Sequence, residues 1–189
     1  PDGQNHHGAN SGIYKTTDAG ANWKRLAGGL PEGESVGRIG IDVALTNPQV
    51  VYALVDQGDE DGLYRSEDAG ASWRRVNNDP VQARWDWCEI RVSPDNQDEL
   101  YNIGQRSFVS RDGGVSFEQI GGTILRLLPH PSRVLHLDTH AMWIDPHNTD
   151  HIVFGNDGGL FVSYDRAANW LHINNLPIAE VYSVTCDMD

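Results

Sequence analysis

Tyr64-Arg-Ser-Glu-Asp68-Ala-Gly70-Ala-Ser-Trp73 decides the fold, because the chain writes this segment four times. The other copies are Tyr14-Lys-Thr-Thr-Asp18-Ala-Gly20-Ala-Asn-Trp23, Phe108-Val-Ser-Arg-Asp112-Gly-Gly114-Val-Ser-Phe117 and Phe161-Val-Ser-Tyr-Asp165-Arg-Ala167-Ala-Asn-Trp170. The shared pattern, called the box below, is aromatic, x, Ser/Thr, x, Asp, x, Gly, x, Ser/Asn, aromatic; Ala167 replaces the glycine in the last copy. The box aspartates follow one another at intervals of 50, 44 and 53 residues. A period of that size belongs to solenoids and propellers. An aspartate there can bond the amides of its own turn, the glycine admits a left-handed backbone, and the aromatic buries a large area. Asp18, Asp68, Asp112 and Asp165 are therefore expected to be structural turn residues.

A second marker precedes three of the boxes. Val43-Ala-Leu-Thr-Asn47-Pro-Gln-Val-Val-Tyr52 matches Val92-Ser-Pro-Asp-Asn96-Gln-Asp-Glu-Leu-Tyr101 and Ile144-Asp-Pro-His-Asn148-Thr-Asp-His-Ile-Val153. Each reads as strand, Pro/Asn/Asp turn, strand, since apolar and polar residues alternate around turn-forming residues. Together the markers predict a unit of four antiparallel strands, A to D, with the box between C and D. Such a meander is the blade of a β-propeller. Strand A is expected near 38–45, 87–93 and 139–145, and strand B near 50–55, 99–104 and 151–155. Strand C should end at each box Ser/Thr, and strand D should start at the second box aromatic.

The fold class is thus all-β, with about three and a half blades in one domain over 1–189. A partial blade occupies 11–26, full blades 37–76, 86–120 and 138–173, and the first strand of a further blade 179–187. Closed propellers typically have about 4–8 blades, and an open arc leaves strand edges that proteins avoid. The expectation is a longer parent protein, with a ring closed between copies as the alternative. The first residue is Pro1, not Met, which fits a processed or trimmed start.

Composition narrows the partners. The 189 residues carry a formal net charge of −13, which repels nucleic acid and anionic membranes. No stretch approaches the roughly 18 apolar residues of a membrane-spanning helix. Twenty glycines and six tryptophans suit short strands joined by tight turns. Cys88 and Cys186 either pair in an oxidising compartment or remain free thiols.

Few residues carry chemistry. His136, Asp138 and His140 alternate on a strand that would line the central channel, and such side chains suit zinc or another divalent metal. Neighbours on one strand face lie about 7 Å apart, so three ligands for one ion require a bulge. The alternative is hydrogen bonding to adjacent blades. Counting back six residues from Val92 and from Ile144 reaches Asp86 and Asp138, which would be acid and base if brought within about 5–9 Å. Catalytic candidates are therefore Asp86, Asp138 and His140. Trp85, Trp87 and Glu89 are ligand-binding candidates, because aromatic faces stack on sugar rings and carboxylates take hydroxyls. Asp157 lies in Gly155-Asn-Asp-Gly-Gly159, a strong hairpin signal. The acidic loop Asp56-Gln-Gly-Asp-Glu-Asp61 has oxygen ligands for calcium without the spacing of an EF-hand, and also reads as a solvated charge run.

The four boxes resemble the Asp-box of the bacterial-neuraminidase (BNR) repeat, found in sialidases, family-74 xyloglucanases and sortilin-type receptors. Asp138-Thr-His140-Ala-Met-Trp143-Ile-Asp-Pro146, Gly155-Asn-Asp157-Gly-Gly159, Asn174-Asn-Leu-Pro177 and Val181-Tyr resemble large secreted bacterial BNR proteins described as glycosyl-hydrolase-like or sortilin-like. That resemblance implies an extracellular or periplasmic propeller recognising protein or glycan, with a glycoside hydrolase as the alternative. The sialidase Arg-Ile-Pro motif and the two catalytic aspartates of a xyloglucanase match no positions in this chain. A structural subunit of a larger assembly is a third possibility.

Overall fold

The computed structural model describes residues 7–78, 88–121, 135–177 and 180–186. Among these residues fourteen strands follow one another: β1 (Tyr14–Lys15), β2 (Lys24–Arg25), β3 (Ile39–Val43), β4 (Val51–Val55), β5 (Gly62–Ser66), β6 (Arg74–Asn77), β7 (Glu89–Ser93), β8 (Asn96–Ile103), β9 (Ser107–Ser110), β10 (Glu118–Gly121), β11 (Thr139–Ile144), β12 (Ile152–Asn156), β13 (Gly159–Ser163) and β14 (Leu171–Ile173). They form three four-stranded antiparallel meanders, β3–β6, β7–β10 and β11–β14, and one two-stranded hairpin, β1–β2. A short 3-10 turn, Gly58–Glu60, joins β4 to β5.

Each box makes the same turn. In the second, Asp68 Oδ1 accepts from Ser66 Oγ at 2.8 Å and Ser72 N at 2.7 Å, while its Oδ2 takes Ser72 Oγ at 2.6 Å. Ser66 Oγ in turn accepts from Gly70 N at 2.8 Å. Thr16, Asp18 and Asn22 repeat this arrangement, as do Ser110, Asp112 and Ser116, and Ser163, Asp165 and Asn169. Two successive residues of every turn have positive φ: Ala19 and Gly20, Ala69 and Gly70, Gly113 and Gly114, Arg166 and Ala167. The last pair shows the turn surviving without glycine, at a backbone strain of order 1–3 kcal/mol per residue.

Sheets stack face to face, and the second strand of each is covered on both sides. In β4, Val51, Ala53 and Val55 face the β1–β2 hairpin, with Ile13, Trp73 and Leu26. Tyr52 and Leu54 face the other way, onto Ile90, Val92 and Leu100 of the next sheet. Tyr101 and Ile103 of β8 repeat the pattern against Met142 and Ile144. This explains why β4 reads Val-Tyr-Ala-Leu-Val with no polar residue: a strand buried on both faces loses its alternation. The inner strands approach closely. A Cβ on Gly40 would meet the Cys88 carbonyl oxygen at 1.8 Å, so only glycine fits there. Asp42 Oδ2 accepts from Val92 N at 2.7 Å across the same seam.

Both cysteines are free, Cys88 buried and Cys186 half-buried. Burial pushes the Cys88 thiol up to about 12, which keeps it protonated and inert at neutral pH. Residues 180–186 form no ladder, but Val181 N donates to Asn156 O at 3.1 Å. That bond matches Thr139 N to Gly104 O, 2.8 Å, at the junction one sheet earlier.

Candidate functional site

One end of each four-stranded sheet gathers the start of its first strand and the turn between its second and third. Register fixes this: Thr139 lies opposite Asn156, and Asn156 opposite Gly159. At this end of β11–β14 the backbone departs from regular strand. Asp138 has φ 63°, and the pairing skips a residue between Thr139 and Ala141. His140 is the extra, bulged residue. Bulges re-aim side chains, and this one turns His140 onto the second turn: its Nε2 lies 2.7 Å from Asp157 Oδ1. The other face of the ring stacks on Tyr182, centroids 3.9 Å apart and planes 17° from parallel. Tyr182 is 63% exposed.

The Asp157 turn is held from several sides. Gly158 N donates to Asn156 Oδ1 at 2.9 Å, and Asp157 N donates to Asp138 O at 3.3 Å. His172 Nε2, on the outermost strand, lies 3.0 Å from Gly158 O, and its ring stacks on Phe161. The His136 ring packs against Gly158, where no Cβ would fit. A junction with the preceding sheet completes the support: Ser107 Oγ donates to Thr139 Oγ1 at 3.1 Å, and Asp138 N to Gln105 O at 3.2 Å. An imidazole bonded to a carboxylate and stacked on a ring has one orientation, which is what a recognition surface needs.

Several sequence expectations are altered by this geometry. The left-handed Asp138 and the bulge interrupt the regular strand alternation over His136, Asp138 and His140. His136 Nδ1 lies 2.9 Å from Leu137 O while His140 turns to Asp157. Among the described residues no group of three or more His, Cys, Asp or Glu is placed to hold a metal ion. The bulge also adds one residue to the count back from Ile144 to Asp138. Asp86, Trp85 and Trp87 lie outside the described residues. Glu89 is half-buried and pairs with Arg91 Nη2 at 3.0 Å on its own strand face. Asp138 Oδ1 is buried with no hydrogen-bond partner.

The acidic loop is engaged locally. Asp61 Oδ1 accepts from Gly58 N at 2.6 Å and from Gln57 N, closing the 3-10 turn, and Arg75 donates to the Asp61 carbonyl. The box aspartates are spent as well. Hydrogen bonds from the Asn22 side chain and backbone, then from Thr16, hold Asp18 at about 2; those from Ser72 and then Ser66 do the same for Asp68. Asp112 and Asp165 are lowered too, chiefly by the Ser116 hydroxyl and the Asn169 amide. Asp157 and Tyr182 were legible only as a turn residue and a strand residue; their meeting at His140 had no local signal.

No protein-family profile matches the sequence, and no curated protein does. Solved structures do match. An ancestral enzyme of glycoside hydrolase family 74 superposes with a TM-score of 0.57 at 19% identity, over 86% of this chain and 21% of that one. The family-74 enzyme of Niastella koreensis gives 0.55 at 18%, over 84% and 26%. The extracellular domain assigned to a one-component system of B. thetaiotaomicron gives 0.58 at 13%, over 94% and 23%. The chain spans about a quarter or less of each of these proteins. At such identities the likeness is one of fold: these residues form part of a β-propeller.

Proposed function

We propose that the chain is part of a secreted recognition propeller whose protein or glycan ligand docks on the sheet end built by His140, Asp157 and Tyr182. The observation that carries this reading is the bulged His140, fixed between a carboxylate at 2.7 Å and an aromatic ring that is 63% exposed. An exposed ring offers stacking area and a half-exposed carboxylate offers a hydrogen-bond acceptor, the elements of a small polar-aromatic site. The fold match to the extracellular domain above fits an extracellular setting, and no helix among the described residues is long and apolar enough to cross a membrane.

The test is calorimetric titration of an oligosaccharide panel and a peptide library. Tyr182→Ala and His140→Ala should each weaken the best ligand at least tenfold, about 1.4 kcal/mol, with unchanged melting temperature. Unchanged affinity in both would refute this placement of the site. The second reading is a glycoside hydrolase using Asp86 and Asp138, favoured by the buried, unbonded Asp138 Oδ1. It requires release of reducing sugar that Asp138→Asn abolishes.

A further inference from the structure

Apolar side chains on the innermost strands are buried in two sheets and open in the third. Ile90 and Val92 on β7, and Met142 and Ile144 on β11, are at most 8% exposed. Ile41 and Val43 occupy the same register positions on β3, opposite Ala53 and Val51, yet are 46% and 41% exposed. The cause is the neighbour. Ile90 and Val92 are covered by Tyr52 and Leu54 of β4, and Met142 and Ile144 by Tyr101 and Ile103 of β8. Among the described residues, only the β1–β2 hairpin stands in front of Ile41 and Val43, and it supplies the outer two strands of a sheet and neither inner one.

The same place has a free hydrogen-bonding edge. Among the described residues, β5, β9 and β13 each pair on both sides, whereas β1, at the equivalent position, pairs with β2 alone. Between the β1 edge and Ile41 and Val43 lies a groove of about 220 Å³ floored by Val51 and Leu26. An unpaired edge beside an apolar floor is the geometry of strand addition.

We propose that this groove takes a two-stranded β-hairpin supplied from outside these 189 residues, one strand pairing with β1 and presenting Tyr-x-Leu or Tyr-x-Ile to Ile41 and Val43. The chain's own junctions specify that chemistry, since Tyr52-x-Leu54 and Tyr101-x-Ile103 fill the equivalent space twice. They also specify the hairpin's turn. Asn47 Nδ2 donates to Gln97 Oε1 at 3.0 Å, and Thr149 Oγ1 to Asp95 Oδ2 at 2.7 Å, so successive turns touch through polar side chains. The incoming turn should offer an Asn or Asp to the Asn47–Gln49 corner.

A synthetic peptide copying residues 37–57, which spans β3 and β4, is the probe. Added to the intact chain, it should slow amide exchange at Tyr14–Lys15 at least tenfold. A peptide carrying Tyr52→Asp and Leu54→Asp should not, nor should the wild-type peptide with a Val43→Asp chain, whose change lies on the surface and leaves the fold intact. No slowing with millimolar peptide would overturn the proposal. So would slowing that appears without peptide and rises with protein concentration, because a second copy would then be the occupant. Neither outcome touches the His140 site, so the two readings fail separately.

Discussion

Arg166→Ala should loosen the junction between the last two sheets, and the cost can be worked from the structure. Arg166 sits in the fourth box, where other copies carry Ala or Gly, with φ 54°. Its Nε is 3.0 Å from Asp150 Oδ1, its Nη1 is 3.1 Å from Glu99 Oε2, and its Nη2 reaches Asp95 and Thr149. Asp95 and Asp150 are largely exposed, so each of those pairs contributes about 0–1 kcal/mol. Glu99 differs, since its side chain is 4% exposed. Removing the cation bonded to a buried carboxylate costs about 3–5 kcal/mol. That figure must be discounted, because Arg166 itself is 31% exposed and Tyr101 keeps donating to Glu99 Oε1 at 2.7 Å. The net expectation is a loss of about 2–3 kcal/mol, or roughly 4–12 °C for a chain of this size. Alanine keeps the left-handed strain, so the backbone contributes no difference. Urea unfolding measures the loss. In a Glu99→Gln background, where no charge is stranded, Arg166→Ala should cost about half as much. A loss below about 0.5 kcal/mol, or an equal loss in both backgrounds, would refute the stranded-carboxylate account.

Two further outcomes follow from the boxes. Gly114→Ala places a Cβ 2.3 Å from Leu63 Cδ2 at φ 90°, and overpacking plus left-handed strain should destabilise by about 2–4 kcal/mol in urea unfolding. Acid should weaken the fold through Asp18 and Asp68, both held at about 2 from an ordinary value of 3.8. Their folded values are depressed, so their contribution is complete above about pH 4 and disappears as pH falls towards 2. A melting temperature that is flat from pH 4 to 2 would contradict this.

The box is legible because its residues act on one another within a single turn. Asp68 bonds Ser66 and Ser72, four residues away at most, so pattern and geometry are the same information. Strand order came through for a similar reason: hairpin-linked neighbours pair with short separations, and the Asn-turn marker places strands A and B to within a few residues. Boundaries slipped where a ladder continued into its turn, as in β8, which begins at Asn96.

The candidate site was legible only in part. His140 was singled out on a regular strand, with period 2 placing His136 and Asp138 beside it. A single inserted residue interrupts that period, and nothing local to Thr139-His140-Ala141 announces a bulge, which arises from matching β11 to β12 and to the preceding sheet. Asp157 comes from 17 residues downstream and Tyr182 from another turn of the repeat. The open groove beside β1 is likewise a property of neighbours, since Ile41 and Val43 look no different in sequence from their buried counterparts. The amino-acid sequence alone thus determined the repeat, the box turns and the all-β class, because those rest on interactions a few residues long. Only the tertiary structure decided which side chains meet at His140 and which apolar faces stay open, because both depend on how one sheet stacks on the next.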